Sequence, residues 1–505
     1  MAALLSLLAA AAVASASPGD CSALEGASGD VVVEKATAIP AGVAFRPDDK
    51  TTFYKSVPVD SPFCRVEGRI EGTIGFELWL PMAWNGRLLG AGVGGDAGVF
   101  NYLDMSLRVA QGFATVTTDS GHKVTEAHWM RVPKARTDYE HRAVHLTAQA
   151  AKALAARFYA RPVERSYFTG CSGGGRQALK EMQVHPLDYD GVIAGAPGPN
   201  MPLQSVRMMW FALEAQRKPA AALSDADWSL YENAVTRACD PLDGKVNGII
   251  TNPLQCRFRT ATLLCKPGQA EGCLTAPKLA MLKAVIAPLR DERGRAMDRG
   301  LFPAVRTRPG PPSPLLRAMW ADAAHDDPEW DALTFSRTGD LATINRVMPQ
   351  LRADSTAISP FLAAGHRAII YQGWQDPSTN AGPTLEYYGA LARDNGGLAK
   401  LSEAVRLFMV PGMYHCRGGP GADTFGASGH APISEDPASD MLWALIRWVE
   451  KGIAPPRIEA RKIADGTSFT RPICAFPASA RLERGEWTCR HDPALLAWPS
   501  ARLKR

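Results

Sequence analysis

Arg165-Ser166-Tyr167-Phe168-Thr169-Gly170-Cys171-Ser172-Gly173-Gly174-Gly175-Arg176-Gln177-Ala178 decides how this chain is read. Arg165 to Thr169 carries aromatic and β-branched residues that suit a strand. Gly175 to Val184 has the spacing of a helix. Between them, Gly170-Cys171-Ser172-Gly173-Gly174 matches G-x-S-x-G, a strand–turn–helix elbow that lifts a serine hydroxyl above the end of a sheet. Small residues flank the serine because the backbone has no room there for more.

Working outward, Tyr189–Ala194 reads as the next strand, closing at Gly195-Ala196-Pro197-Gly198. Upstream, Tyr139 to Tyr159 has apolar residues at helical spacing (Ala143, Leu146, Ala150, Leu154, Phe158). Earlier strand candidates are Val31–Val33, Val66–Leu80, Arg87–Leu89 and Gly112–Thr118, and the third runs into the glycine-rich turn Gly90 to Gly98. Downstream, Arg367–Tyr371 and Val405–Val410 return to strand pattern, and Asp440–Lys451 reads as a terminal helix. Strand and helix in alternation predict a parallel sheet covered by helices. With the elbow, the expected class is α/β, an α/β-hydrolase fold. The regularity fades from Pro199 to Pro360, which predicts an inserted lid subdomain at 199–360 between two parts of the hydrolase domain, 17–198 and 361–505.

A serine hydroxyl needs a base, itself oriented by an acid, and in this fold the chain order is Ser, Asp or Glu, His. Asp376 in Gly373-Trp374-Gln375-Asp376-Pro377 directly follows one predicted strand; His415 in Tyr414-His415-Cys416 follows the next. Ser172, Asp376 and His415 are therefore the expected triad. His430 and His491 compete for the base, but neither follows an obvious strand. The oxyanion donors are expected to be the backbone N–H of Gly173 and that of Gly95 or Gly94. Gly92, Gly94 and Gly95 lack the G-x-G-x-x-G spacing of a dinucleotide site.

The chain has 505 residues, ten of them cysteine, and a net charge of +5 without a Lys/Arg block. That charge argues against nucleic-acid or membrane partners. Leu4 to Val13 is apolar and Ala14-Ser15-Ala16 is a small-x-small cleavage site, so residues 1–16 are expected to be a signal peptide and the protein secreted or periplasmic. The expected lysine or arginine near Met1 is missing. In an oxidising compartment the cysteines should pair. Spacing suggests Cys239–Cys256, Cys265–Cys273 and Cys474–Cys489, and Cys21 with Cys64 would close the N-terminal region. Cys171 and Cys416 remain, one beside the serine and one beside the histidine; a bridge between them would hold nucleophile and base together. Sequence alone does not fix the connectivity, and two free thiols or a nucleophilic Cys171 stay open as readings.

Asp240-Pro241-Leu242-Asp243-Gly244-Lys245-Val246-Asn247-Gly248-Ile249 sets oxygen-bearing side chains three and four residues apart. The side chains of Asp240, Asp243 and Asn247 with the carbonyls of Lys245 and Ile249 would suit a hard cation. A loop of Asx turns has the same spacing.

The chain resembles the tannase and feruloyl esterase family, which includes the hydrolase of mono(2-hydroxyethyl) terephthalate. The likeness runs from Cys64-Arg65-Val66-Glu67-Gly68 through Thr118-Asp119-Ser120-Gly121-His122, Arg142-Ala143-Val144-His145, the elbow itself, and Tyr189-Asp190-Gly191-Val192-Ile193-Ala194-Gly195-Ala196-Pro197. The Cys-Ser, later Asp and His-Cys combination is its specific mark. The resemblance implies a secreted serine esterase acting on a small aromatic ester, with a lid and a disulfide between triad neighbours. It also implies structural Ca²⁺ in the lid, at Asp240, Asp243, Lys245, Asn247 and Ile249. Two departures stand out: Asn247 replaces the family's usual Asp, and the elbow reads Ser-Gly-Gly where many members have Ser-Thr-Gly. Trp320, Trp330 and Phe335 could clamp a substrate ring or form the lid's own core. A serine peptidase and a catalytically silent binding module on the same fold are the alternatives.

Overall fold

In a computed structural model the described residues are 19–307, 313–464 and 467–500. The expected signal peptide lies outside them. Ten strands form one sheet: β1 Gly26–Ser28, β2 Val31–Ile39, β3 Phe63–Ile70, β4 Ile74–Pro81, β5 Arg87–Ala91, β6 Ala114–Thr118, β7 Arg165–Cys171, β8 Gly191–Gly195, β9 Arg367–Gly373 and β10 Val405–Val410. Their spatial order is β1-β2-β3-β4-β6-β5-β7-β8-β9-β10. β1 to β4 pair antiparallel, β4 meets β6 antiparallel, and every pairing from β6 to β10 is parallel. The run Val66–Leu80, expected as one extended stretch, is a hairpin. Glu71 and Gly72 take positive φ between β3 and β4, and a left-handed pair reverses the chain.

The parallel strands are buried on both faces, so alternate residues feed two cores. Phe168, Val192 and Ile370 pack on one side among Ala148, Leu179 and Leu385. Tyr167, Ile193 and Ile369 pack on the other with Leu442, Leu445 and Trp448 of the helix Met441–Lys451. Each fully buried large apolar side chain contributes about 1.5–3 kcal/mol. The helices Ala143–Tyr159 and Gly173–Gln183 cover the first face.

The parallel neighbours β8 and β9 are joined by one long crossover, the stretch expected as an insertion, whose Ala353, Ile358 and Phe361 pack in the first core. It is helical (Met201–Arg217, Asp225–Cys239, Ala276–Ile286, Arg337–Val347) and has a core of its own around Phe211, Trp228, Tyr231 and Val285. Trp320, Trp330, Val206 and Met209 join it to Val93, Ala97 and Tyr139 above the sheet. The C-terminal region adds two hairpins that the sequence pattern did not reveal, Arg457–Ala464 with Thr467–Cys474 and Ala478–Glu483 with Glu486–His491.

Candidate active site

At the end of β7 the chain turns through Ser172, at φ 61° and ψ −123°, and enters the helix Gly173–Gln183. A non-glycine residue there is strained, and such strain persists only where the surroundings enforce it. They do so here. The Ser172 N–H donates to the Gly195 carbonyl at 2.9 Å, and a Cβ on Gly170 would strike the backbone of Gly174. The Ser172 hydroxyl is left at the helix N-terminus, where the first N–H groups lack intrahelical acceptors. It has no hydrogen-bond partner among the described residues.

Gly173 packs against the turn that follows β5: a Cβ on it would lie 2.8 Å from the Gly95 carbonyl. This accounts for Ser-Gly-Gly at the elbow, since threonine in place of Gly173 would push that turn away. Gly94 and Gly95 differ in what their N–H groups already bond. The Gly94 N–H already donates to Tyr54 Oη at 2.8 Å, whereas the N–H of Gly95 has no backbone acceptor. Gly95 sits at φ 65°, a conformation glycine adopts without strain, and lines one pocket with Ser172 and Gly173. Tyr139 Oη donates to the Gly95 carbonyl at 3.0 Å and holds the turn from the other side.

Asp376 and His415 come together. His415 Nδ1 is 2.8 Å from Asp376 Oδ2, which fixes the tautomer with Nδ1 protonated and Nε2 free to take a proton. Asp376 is fully buried and its carboxylate is held by several donors: the N–H groups of Ser378 and Thr379 at 2.8 Å, Thr379 Oγ1 at 2.7 Å and Gln372 Nε2 at 3.0 Å. Burial pulls the His415 pKa down. The Asp376 carboxylate, by charge and hydrogen bond, more than offsets that and sets it above the ordinary histidine value.

The Cys171–Cys416 disulfide, with Cα atoms 5.9 Å apart, ties the residue before Ser172 to the residue after His415. No direct Ser172–His415 hydrogen bond is made. Such bonds are often long without substrate and tighten when it binds. The other four bridges are Cys21–Cys64, Cys239–Cys256, Cys265–Cys273 and Cys474–Cys489, and no described cysteine is free. Cys171 is therefore no nucleophile. His430 is buried with its rings' nitrogens taken up by the Phe425 N–H and the Cys416 carbonyl, so it braces the disulfide turn. His491 ends the last hairpin.

The pocket at Ser172 is lined by Met201, Met208, Leu316, Gln204, Arg176 and Thr379 among others. None of these was singled out from the sequence; the helix Met201–Arg217 directly after the β8 turn was the available signal. Trp320, Trp330 and Phe335 do not line it. Trp320 and Trp330 are buried and meet Phe335 edge-on at 5.1 and 6.4 Å, which makes them core of the insertion. Arg176 is buried too, its guanidinium donating to the carbonyls of Glu140 and Tyr139 at 2.7 and 2.9 Å.

In the loop from Asp240 to Ile249, Asp240 accepts the N–H groups of Asn247 and Gly248 at 2.9 and 2.7 Å, and Asn247 Oδ1 accepts that of Ile249 at 3.1 Å. Asp243 accepts the Lys245 N–H at 3.0 Å and is paired on its other oxygen with buried Arg471 at 2.7 Å. The carbonyls of Lys245 and Ile249 receive no backbone donor. Two carboxylates, an amide oxygen and two spare carbonyls form an all-oxygen donor set that fits a hard cation. Arg471 already balances one of the two charges.

A sheet of this order with a serine elbow after β7, and an Asp–His pair after the last two parallel strands, β9 and β10, defines an α/β-hydrolase. The chain matches the model of the family described as "Tannase and feruloyl esterase" over residues 57–304 and 315–492, and it belongs to that family. It is 32% identical over 466 residues to a probable feruloyl esterase B of Emericella nidulans, covering 89% of this chain and 88% of that one. The crystal structure of feruloyl esterase B from Aspergillus oryzae superposes with a TM-score of 0.86 at 27% identity, covering 92% of this chain and 97% of that chain. Tannin acyl hydrolase from Aspergillus niger shares the fold, with a TM-score of 0.76 at 18% identity over 94% of each chain. The protein is a carboxylic ester hydrolase, and the readings as a peptidase or a silent module give way to that.

Proposed function

We propose that the protein is an exported serine esterase that hydrolyses esters of aromatic acids through an acyl-enzyme. The observation that carries this reading is the Cys171–Cys416 bridge, which sets Ser172 beside a histidine already oriented by Asp376. His415 Nε2 takes the Ser172 proton as Oγ adds to the ester carbonyl. The N–H groups of Gly173 and Gly95 receive the oxyanion. The intermediate expels the alcohol, which takes the proton from His415, and water then releases the acid by the same steps in reverse roles. The pocket has a volume of about 120 Å³ and mostly apolar walls. An apolar cavity of about 150 Å³ holds benzene, so a single aromatic ring is the scale of group it suits. The feruloyl esterase names of the relatives point the same way.

Calcium is proposed as a structural ion held by Asp240, Asp243, Asn247 and the carbonyls of Lys245 and Ile249, bracing the insertion that serves as a lid. Five disulfides suit an oxidising compartment, which supports export with removal of residues 1–16. No helix among the described residues is long and apolar enough to cross a membrane.

A panel of methyl gallate, methyl ferulate, chlorogenate and mono(2-hydroxyethyl) terephthalate tests the substrate class. At least one should be cleaved far faster than an aliphatic ester of equal size; equal rates throughout would overturn the aromatic assignment. Ser172→Ala should lower kcat by roughly 10⁶-fold, with an unchanged melting temperature. Retained turnover in that variant would remove Ser172 from the mechanism.

A further inference from the structure

A second cluster of titratable side chains lies outside the pocket, where the helix Ala143–Tyr159 meets the turn after the helix Gly173–Gln183. The former is entered through a wide turn, Asp138–Arg142, that carries His141, and His145 follows four residues later. His145 Nδ1 is 2.6 Å from Asp188 Oδ2, and the His145 ring stacks on that of His185 with centroids 3.9 Å apart. His141 Nδ1 is 2.9 Å from His185 Nε2. One ligand atom from each of His145, His185 and Asp188 lies within 4.8 Å of the other two. The three histidines are partly exposed, so solutes reach them.

An independent observation lies behind the cluster. Glu181 is buried at 2% exposure and neither of its carboxylate oxygens meets a hydrogen-bond donor. Glu181 and Asp188 face each other behind the imidazoles. The Lys152 ammonium donates to the Asp188 carbonyl, and Lys180, Arg176 and Arg142 lie near His141.

We propose that His145, His185 and Asp188 form a binding site for a divalent transition-metal ion of the zinc class, with His141 orienting His185 by hydrogen bond. Two imidazoles and one carboxylate suit Zn²⁺, Cu²⁺ or Ni²⁺ rather than a hard ion such as Ca²⁺. Zinc bonds of about 2.0–2.1 Å put ligand atoms roughly 3.4 Å apart, so binding requires the His145–Asp188 contact to open and the stacked His145 and His185 rings to turn out of parallel so that their lone pairs converge. Metal-bound histidines usually donate their second ring N–H to an outer acceptor, and His141 Nδ1 would accept that of His185. Water completes the coordination on the exposed side. The ion would clip together two helices that cover the same face of the sheet, remote from the Ser172 chemistry.

The test uses full-length enzyme stripped with chelator and returned to millimolar calcium, so that the loop at Asp240–Ile249 does not compete. Titration with Co²⁺ should give one equivalent bound at micromolar concentration, with a visible d–d band, and Zn²⁺ should displace it and raise the melting temperature by several degrees. His185→Phe and the double variant His141→Phe/His185→Phe should lose the band and the shift while hydrolysing ester at the wild-type rate. His415→Ala should keep both. If the histidine variants do not fold, the Cu²⁺ electron paramagnetic resonance of the wild type decides instead, since two bound imidazoles give nitrogen splitting. No saturable submillimolar binding to the wild type, equal binding by the variants, or a copper spectrum without nitrogen splitting would overturn the site.

Discussion

The elbow at Ser172 and the loop from Asp240 to Ile249 are each closed by a disulfide, yet their polar groups are set up in opposite ways. Around the elbow the protein completes everything itself. Asp376 is saturated with donors, His415 is fixed by Asp376, and the Cys171–Cys416 bridge spans a sequence separation of 245. In the loop the bridge Cys239–Cys256 spans only 17, the third side chain is the uncharged amide of Asn247, and the carbonyls of Lys245 and Ile249 receive no backbone donor. A preorganised site does not reorganise when charge develops in the reaction. An incomplete one leaves room for a ligand to finish it. Disturbing the first should therefore be read in rate, and disturbing the second in stability.

The sharpest way to break the contrast is Asp376→Asn. The amide would favour the wrong His415 tautomer, and kcat should fall by roughly 10⁴-fold. The pH profile gives a second readout. With neutral His415 as the proposed base, activity in the wild type should fall as pH drops through a pKa above the ordinary value of about 6.5. Removing the carboxylate removes the influence that raises this pKa and leaves the burial that lowers it. The acid limb of kcat/KM in the variant should move to lower pH. A limb that stays in place, or a rate loss below tenfold, would mean that Asp376 does not orient the base.

Next in size is the paired removal of the two bridges. By chain entropy alone, opening the long loop should cost about 5.5 kcal/mol and opening the short one about 3 kcal/mol. The rates should separate them further. Cys171→Ala/Cys416→Ala frees the turns that carry Ser172 and His415, the proposed nucleophile and base, and a displacement near 1 Å can cost about 100-fold. Cys239→Ala/Cys256→Ala should leave kcat within about twofold, assayed well below either variant's melting temperature. Equal kcat in the two double variants would show that the elbow strand and β10 position Ser172 and His415 unaided.

What was legible in the sequence follows from the same contrast. Ser172, Asp376 and His415 each directly follow a buried strand, and buried parallel strands write themselves as short apolar runs. Their positions could be read for that reason. The supports could not, because each depends on a contact between distant segments: Tyr54 on the Gly94 N–H, Tyr139 on the Gly95 carbonyl, Thr379 on Asp376. Tyr54 is the residue that separates Gly95 from Gly94, and nothing local to either glycine marks it. Met201, Met208 and Leu316 line the pocket from the insertion, where apolar residues at helical spacing do not say which face is core and which is cavity. Trp320 and Trp330 illustrate the reverse: large aromatics that suggested a ring clamp are packed as core. The C-terminal hairpins escaped because two-stranded ribbons with partly exposed faces carry only a weak alternation. One of them, Thr467–Cys474, supplies the Arg471 that meets Asp243.

That arginine sets the smallest expected effect. If the loop binds calcium through Asp240, Asp243 and Asn247, the guanidinium of Arg471 at 2.7 Å from Asp243 Oδ2 opposes the ion with like charge while helping to hold the loop in shape without it. Chelation should then lower the melting temperature by only a few degrees and leave kcat on a small aryl ester unchanged. Asn247→Asp restores a third carboxylate and should tighten calcium binding about tenfold, equivalent to about 1.4 kcal/mol, seen as a larger calcium-dependent rise in melting temperature. It should also destabilise the chelated protein slightly, since the added carboxylate lacks a cation there. Calorimetric titration of wild type and variant with Ca²⁺ separates the cases. Identical affinities would mean that position 247 is not a ligand, and a large loss of kcat on chelation would tie the loop to the pocket and erase the division between rate and stability.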